Sequence, residues 1–353
     1  MNTDLLYYLA IFAVMSVIII GAGVLLAKSG DRIADVTGLG GLLIGMVLVA
    51  AATSLPEIAV AVSAVVVEDS PDLAIGNLLG SNMANMALLA VVDLAYRGRV
   101  WHRVGSGHAR TAAVGIALTA VATLAILRPF ELALGWVGIE SFIIFVGFLS
   151  LIAWTHRSST PAVPTGEVSH EQVGEHDAEH QHLSGSEFTS KRAVLYTIRW
   201  DLAKFGLAAL VILASAPVLV NAADGIATEA NLGQSFVGAS FLAFSTSLPE
   251  LATAVAAVRI GAFDLAVGSL LGSNAFNMAI ILIVDLVYTE GPILADVHAI
   301  EAFVGVSAIL LMSIVLAGII HGARTRASRL EPGSWMAIVV YILLMYAIWS
   351  AGS

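Results

Sequence analysis

Two glutamates stand in apolar surroundings where a carboxylate is costly. Glu57 and Glu250 each close the same segment, Thr-Ser-Leu-Pro-Glu, at Thr53–Glu57 and again at Thr246–Glu250. An ionisable side chain inside a stretch long enough to span a bilayer points to function first. Its neighbours add to the chemistry. Pro56 and Pro249 lack an amide hydrogen and clash with the carbonyl four residues back, which predicts freed backbone oxygens around Ala50–Thr53 and Ala243–Thr246. Thr53 and Glu57 are four apart and share a helix face, as do Thr246 and Glu250. Each copy therefore offers a carboxylate, a hydroxyl and carbonyls. A proline kink beside a satisfied glutamate would explain one copy, but explains two matched copies poorly.

A second segment follows each glutamate. Residues 72–96 match residues 264–288 at 16 of 25 positions. Within them, Asn77, Ser81 and Asn85 recur every fourth residue and form one polar stripe, repeated as Ser269, Ser273 and Asn277. Beside the stripes, Gly76/Gly80 and Gly268/Gly272 make small faces that let helices approach closely. Asn82 and Asn274 lie about 100° off the stripe, where packing is the expected role. Carboxylates, amides, hydroxyls and carbonyls form an oxygen-only set, since the chain has no cysteine and none of its nine histidines falls mid-span. Such a set suits Ca²⁺, Mg²⁺ or Na⁺ and disfavours Zn²⁺ or Cu⁺. Ca²⁺ tolerates about six to eight oxygens in irregular geometry, whereas Mg²⁺ dehydrates reluctantly, so kinked helices favour Ca²⁺. Two glutamates neutralise one Ca²⁺. Without it, adjacent buried carboxylates need protons or monovalent cations in its place, which is the physical basis of antiport.

The elements that must position these groups are membrane helices. The chain is 58% hydrophobic and 12% charged, against about 25% charged in soluble proteins. Its mean hydropathy is +0.91. Continuous apolar runs of about 20 residues exclude a transmembrane β-barrel, whose segments alternate. Ten spans are predicted, at 5–27, 39–67, 71–95, 110–127, 132–155, 203–222, 232–258, 263–288, 298–321 and 333–351. The first reads as a span and not a cleaved signal. With both termini outside, 15 of the 16 lysines and arginines fall on the cytoplasmic side and only Arg128 falls outside, as the positive-inside rule requires.

The halves align at an offset of 192–193 residues, pairing Asp31 with Asp224, Gly45 with Gly238, Glu57 with Glu250 and Asp93 with Asp285. Five spans per half is an odd number, so the second copy enters the membrane inverted. The expected fold is an all-α integral membrane protein, ten transmembrane helices as two inverted five-helix repeats, the organisation of secondary transporters with a midplane site. The repeats cover 1–155 and 199–353. A linker at 156–198, rich in His, Glu, Ser and Pro, is expected to be a mobile cytoplasmic loop.

These motifs closely resemble the two α-repeats of the cation/calcium exchanger superfamily, above all its prokaryotic sodium/calcium exchanger branch. The resemblance covers nearly the whole chain. It implies that Glu57 and Glu250 hold the central ion. It further implies that Thr53, Thr246 and the carbonyls of Ala50 and Ala243 help coordinate flanking sodium ions, that Ser54, Ser81, Ser247 and Ser273 line the sites, and that the first and sixth spans slide as a gate. Two features depart from the pattern. Ala52 and Ser245 replace the glycine that usually opens the motif. Asn277 stands where one repeat often carries aspartate, opposite Asn85 in the other half. With one carboxylate fewer, fewer cations can be held together. Exchange of Ca²⁺ for Na⁺ is therefore expected, with Ca²⁺/H⁺ antiport as the alternative.

The remaining candidates carry blander readings. His170, Glu171, Glu175, His176, Asp177, Glu179, His180 and His182 could chelate a regulatory metal, but a solvated linker is the expectation. Asp93 and Asp285 are read as caps at span ends, and Glu68, Asp69 and Asp72 as an exposed acidic turn. An intramembrane hydrolase would need a nucleophile with a base at depth, and no Gly-x-Ser-x-Gly elbow is present. A passive channel fits two inverted halves less well than alternating access. The expectation is a transporter and not an enzyme. It would have no cofactor or nucleic-acid partner and would work as a monomer in a prokaryotic inner membrane.

Overall fold

The computed structural model describes residues 3–67, 69–96, 100–105, 107–130, 132–159, 186–229, 243–322 and 332–352. The described chain is nearly all helix, because a segment surrounded by hydrocarbon must satisfy its own backbone hydrogen bonds. In chain order the first elements are α1 (Thr3–Thr37), α2 (Gly40–Ile44), a π-helical turn (Gly45–Val49), α3 (Ala50–Thr53) and α4 (Leu55–Val66). Next come α5 (Pro71–Ala95), α6 (Gly107–Leu127) and α7 (Ile139–Ser159). The second part holds α8 (Ser186–Glu229), α9 (Ala243–Thr246), α10 (Leu248–Arg259), α11 (Phe263–Val287), α12 (Ala299–Gly322) and α13 (Pro332–Gly352). Seven of these helices are long and apolar enough to cross a membrane, and the bent run from Gly40 to Val66 makes an eighth.

Three features differ from the sequence expectation. The chain is not wholly α: β1 (Ala133–Leu134) and β2 (Val137–Gly138) pair antiparallel between α6 and α7. Their tight turn uses Gly135 at φ 69°, a conformation that favours glycine. Helix α1 continues past the apolar run to Thr37, and ends only at Gly38 and Gly40, both at positive φ. A polar end costs a helix little once it projects beyond the hydrocarbon, and glycine then stops it. Helix α8 likewise begins at Ser186, ahead of the apolar span at 203–222. The polar extensions of α1 and α8 meet where Arg32 Nη1 donates to Asp201 Oδ1 at 3.2 Å. The expected span at 232–258 is described only from Ala243, and the His/Glu run at 170–182 lies outside the described residues.

The span at 39–67 is not one helix. It bends by 42° at Ser54, whose φ and ψ of −87° and 8° leave the helical region. Pro56 then sits in the first turn of α4, where its missing N–H has no partner to lose. Ser247 repeats this break at −85° and 4°, with Pro249 in the first turn of α10. The breaks place Glu57 and Glu250 in the first turns of new helices.

Helices α5 and α11 form the centre. Their spanning windows are 78% buried, against 22% for α1. Helices α6, α7, α12 and α13 pack around them, while α1 lies along α8 and α10. The small faces close as expected on α11. A Cβ on Gly272 would stand 2.6 Å from the Met46 carbonyl oxygen, and one on Gly45 would stand 2.6 Å from that of Leu265. The π-helical turn therefore presses backbone to backbone against α11. On α5, a Cβ at Gly76 would instead meet the Glu301 carboxylate of α12, at 2.8 Å from Oε2.

Candidate functional site

Each broken helix delivers its threonine to the opposite half and its glutamate to a serine of its own. Thr53 Oγ1 lies 3.3 Å from Ser273 Oγ on α11, and Ser273 Oγ donates to Glu250 Oε1 at 3.4 Å. The second copy does the same in reverse. Thr246 Oγ1 lies 3.4 Å from Ser81 Oγ on α5, and Ser81 Oγ donates to Glu57 Oε1 at 3.4 Å. All of Thr53, Ser54, Glu57, Ser81, Thr246, Ser247, Glu250 and Ser273 are buried. Residues 220 and 165 positions apart thus converge on one crossed arrangement.

Ala50 and Ala243 open α3 and α9. The kink does not leave the Ala50 carbonyl bare, because it accepts from Ser54 N at 2.9 Å and from Thr53 Oγ1 at 3.2 Å. A threonine that bonds back to its own turn takes up the acceptor that the proline was expected to free.

Among the described residues, the buried oxygens without a hydrogen-bond partner include three matched pairs: Glu57 and Glu250 Oε2, Ser54 and Ser247 Oγ, Asn85 and Asn277 Oδ1. Buried polar atoms are almost always paired, so three matched pairs of bare oxygens mark a place for a ligand of opposite polarity. Among the described residues, no three His, Cys, Asp or Glu side chains converge. A cation held here would have two carboxylates and would complete its shell with neutral oxygens, as Ca²⁺ and Na⁺ sites do.

Asn82 and Asn274, read from sequence as packing residues, bind across the centre. Asn82 Nδ2 donates to the Asn274 carbonyl at 3.3 Å, and Asn274 Nδ2 to the Asn82 carbonyl at 3.2 Å. Their side-chain oxygens accept from the stripe: Asn85 Nδ2 to Asn274 Oδ1 at 3.0 Å, and Asn277 Nδ2 to Asn82 Oδ1 at 3.1 Å. One helix cannot show this, because the partners come from the facing helix.

The capping reading of Asp93 and Asp285 holds, with both side chains fully buried. Asp93 accepts from Val100 N at 3.0 Å and from Ser334 Oγ at 2.6 Å. Asp285 accepts from Ile293 N at 2.8 Å, Ser141 Oγ at 2.6 Å and Gly138 N at 2.9 Å. The exposed acidic turn is only partly so. Asp72 is tied to His298, through both its backbone N–H and its ring. The matching Asp264 on α11 is tied to His108 Nε2 at 2.7 Å. Sequence reasoning missed both histidine pairs, whose only signal was the 190-residue spacing of His108 and His298.

The family model described as sodium/calcium exchanger protein matches residues 7–154 and 200–350. The chain belongs to the sodium/calcium exchanger protein family. Within it, the chain is 28% identical to the inner membrane protein YrbG of Escherichia coli, over 79% of this chain and 78% of that one. It is also 28% identical to CaxA, a candidate antiporter of Alkalimonas amylolytica, over 93% and 96% of the two chains. The sodium/calcium exchanger MaX1 of Methanosarcina acetivorans matches at 40% over a shorter stretch, 18% of each chain. The fold is that of the sodium-calcium exchanger NCX_Mj, with a TM-score of 0.70 at 17% identity over 97% of this chain and 99% of that one. The exchanger family is one of multi-pass membrane proteins, in keeping with the spans described above.

Proposed function

We propose that this member of the family exchanges Ca²⁺ for Na⁺ across a prokaryotic inner membrane, with Glu57 and Glu250 holding the ions near the midplane. The observation that carries the reading is the set of matched bare oxygens around the two glutamates. Two carboxylates balance one Ca²⁺, and several Na⁺ ions can share the same oxygens when Ca²⁺ is gone. Thr53, Thr246, Ser54, Ser247, Ser81, Ser273, Asn85, Asn277 and the Ala243 carbonyl make up the rest of the shell, with the Ala50 carbonyl joining it when Thr53 Oγ1 turns from it to the ion. The names of MaX1 and NCX_Mj, both sodium/calcium exchangers, favour the same ion pair.

The reading takes the chain as ten spans in two inverted repeats, 1–155 and 199–353, joined by the segment 156–198, with both termini outside. The paired geometry supports this: the two glutamate units and the Asp93 and Asp285 clamps each occur once per half, and the two Asp–His ties run between the halves in opposite senses. Alternating access then follows from sliding of α1 and α8, which pack along each other outside the central bundle. The chain serves as its own two-fold assembly and works as a monomer.

One observation favours a second reading, Ca²⁺/H⁺ antiport. Asn277 supplies no third carboxylate, so the site has less charge with which to gather several Na⁺ ions. The test is Ca²⁺ uptake into proteoliposomes under an outward Na⁺ gradient and, separately, an outward H⁺ gradient. Uptake driven by Na⁺ is expected; uptake driven only by H⁺ would establish the second reading. In the same assay Glu57→Gln or Glu250→Gln should abolish Ca²⁺ transport in a folded protein. Normal rates in both variants would remove the glutamates from the site.

A further inference from the structure

The four central asparagines form a closed ring with only one consistent orientation. A backbone carbonyl can only accept, so Asn82 and Asn274 must each aim their NH₂ at the other's carbonyl. That leaves each side-chain oxygen pointing at a stripe asparagine, which must answer with its own NH₂. Asn85 and Asn277 are thereby left with their oxygens free of any partner among the described residues. Each lies one helical turn beyond the serine that touches a glutamate, on the same helix face. Turning any one amide over would set NH₂ against NH₂ or oxygen against oxygen inside a buried core.

We propose that Asn82 and Asn274 are positioning residues that lock the stripe asparagine of the other half with its oxygen toward the ion, and that hold the site at two carboxylates. This rests on the reading of Glu57 and Glu250 as the ion site. The second part follows from donor chemistry. An ionised aspartate at position 277 has no hydrogen to give and would set its oxygen against Asn82 Oδ1. It must keep a proton to remain in the ring, so the site gains no charge. A lone added carboxylate beside a divalent cation should tighten binding on Coulomb grounds. The ring predicts that it does not.

The test is Ca²⁺ titration calorimetry on the full chain in detergent, with Ca²⁺ KM and maximal rate from proteoliposome uptake. Asn82→Ala and Asn274→Ala should each raise KM by about tenfold, since the stripe amide is freed to turn its NH₂ toward the ion, while the maximal rate changes by less than about twofold. Asn277→Asp alone should bind Ca²⁺ within about twofold of the unaltered protein, and adding Asn82→Ala should then tighten binding by about tenfold, because the opposing oxygen is gone. Unchanged KM in both alanine variants would overturn the lock. So would an Asn277→Asp variant that tightens on its own as much as the double variant does. If the alanine variants do not fold, the near-isosteric Asn277→Asp decides alone through its pH dependence: affinity near that of the unaltered protein at neutral pH that tightens as rising pH ionises the added carboxyl supports the lock, and a tenfold gain at neutral pH or an affinity indifferent to pH overturns it. Glu57→Gln separates this from the underlying reading. If that variant still binds Ca²⁺ normally, the site itself is misplaced; if it loses Ca²⁺ while the asparagine variants behave as unaltered, only the lock fails.

Discussion

At the scale of single residues, the buried acids divide by what their oxygens touch. Asp285 has both oxygens engaged by donors, two backbone N–H groups and a serine hydroxyl. Glu57 and Glu250 each keep one bare oxygen. The same substitution should therefore have opposite effects. Asp285→Asn would turn an NH₂ against a donor and cost about 1–3 kcal/mol of stability, read as a lowered Tm in detergent. Glu57→Gln should leave Tm near its normal value while ending transport. If Asp285→Asn melts like the unaltered protein, the clamp is not structural. The Asp72–His298 tie adds a pH dependence at the first turn of α5, where the exposed His298 precedes α12. Asp72, by hydrogen bond and then by charge, holds the exposed His298 imidazole above its ordinary 6.5. A raised folded value means the contribution is complete below the ordinary value and is lost as pH rises through the raised one. The Tm difference between the unaltered protein and Asp72→Asn should shrink across that range. A difference that stays constant with pH would remove the ion pair from the account.

At the scale of elements, the broken helices and the small faces of α11 depend on each other. The π-helical turn at Gly45–Val49 lies against α11 closely enough that a Cβ at Gly272 would sit 2.5 Å from the Met46 Cα. Backbone cannot yield as a flexible side chain can, so the elements themselves must part. Gly272→Ala should destabilise by about 1–3 kcal/mol through overpacking, visible as a lowered Tm, and should slow transport because Ser273 is the next residue. Gly115, where an added Cβ would meet only the Met312 sulfur at 3.5 Å, is the control that should tolerate alanine. Equal behaviour of the two variants would show that the close approach at α11 does not matter.

At the scale of the whole molecule, the reading stands on inversion. Val67 ends the turn after α4, and Ile260 ends the matching turn after α10. Both are exposed. The chain has no cysteine, so single cysteines can be placed without a background. Val67→Cys should react with an impermeant thiol reagent from outside only, and Ile260→Cys only from the cytoplasmic side. Labelling of both from one side would rule out inverted halves and with them a shared midplane site.

How much of this was legible in the chain follows from the range of the forces involved. Membrane spans, the duplicated motif and the identity of Glu57 and Glu250 are local or periodic features. They show in hydropathy and spacing because hydrocarbon imposes helix on every span and makes each buried charge conspicuous. The helix break at Ser54 showed as Pro56 but not as a new helix start, since a proline permits either. What the sequence could not determine was which half each hydroxyl serves. Thr53 meets Ser273 and not Ser81, and Thr246 meets Ser81. Asn82 and Asn274 looked like packing residues because their partners lie on the facing helix. The same holds for Asp72 with His298 and Asp264 with His108. Hydrogen bonds act over about 3 Å, so partners so far apart in the chain are decided only when the tertiary structure brings the two helices to contact.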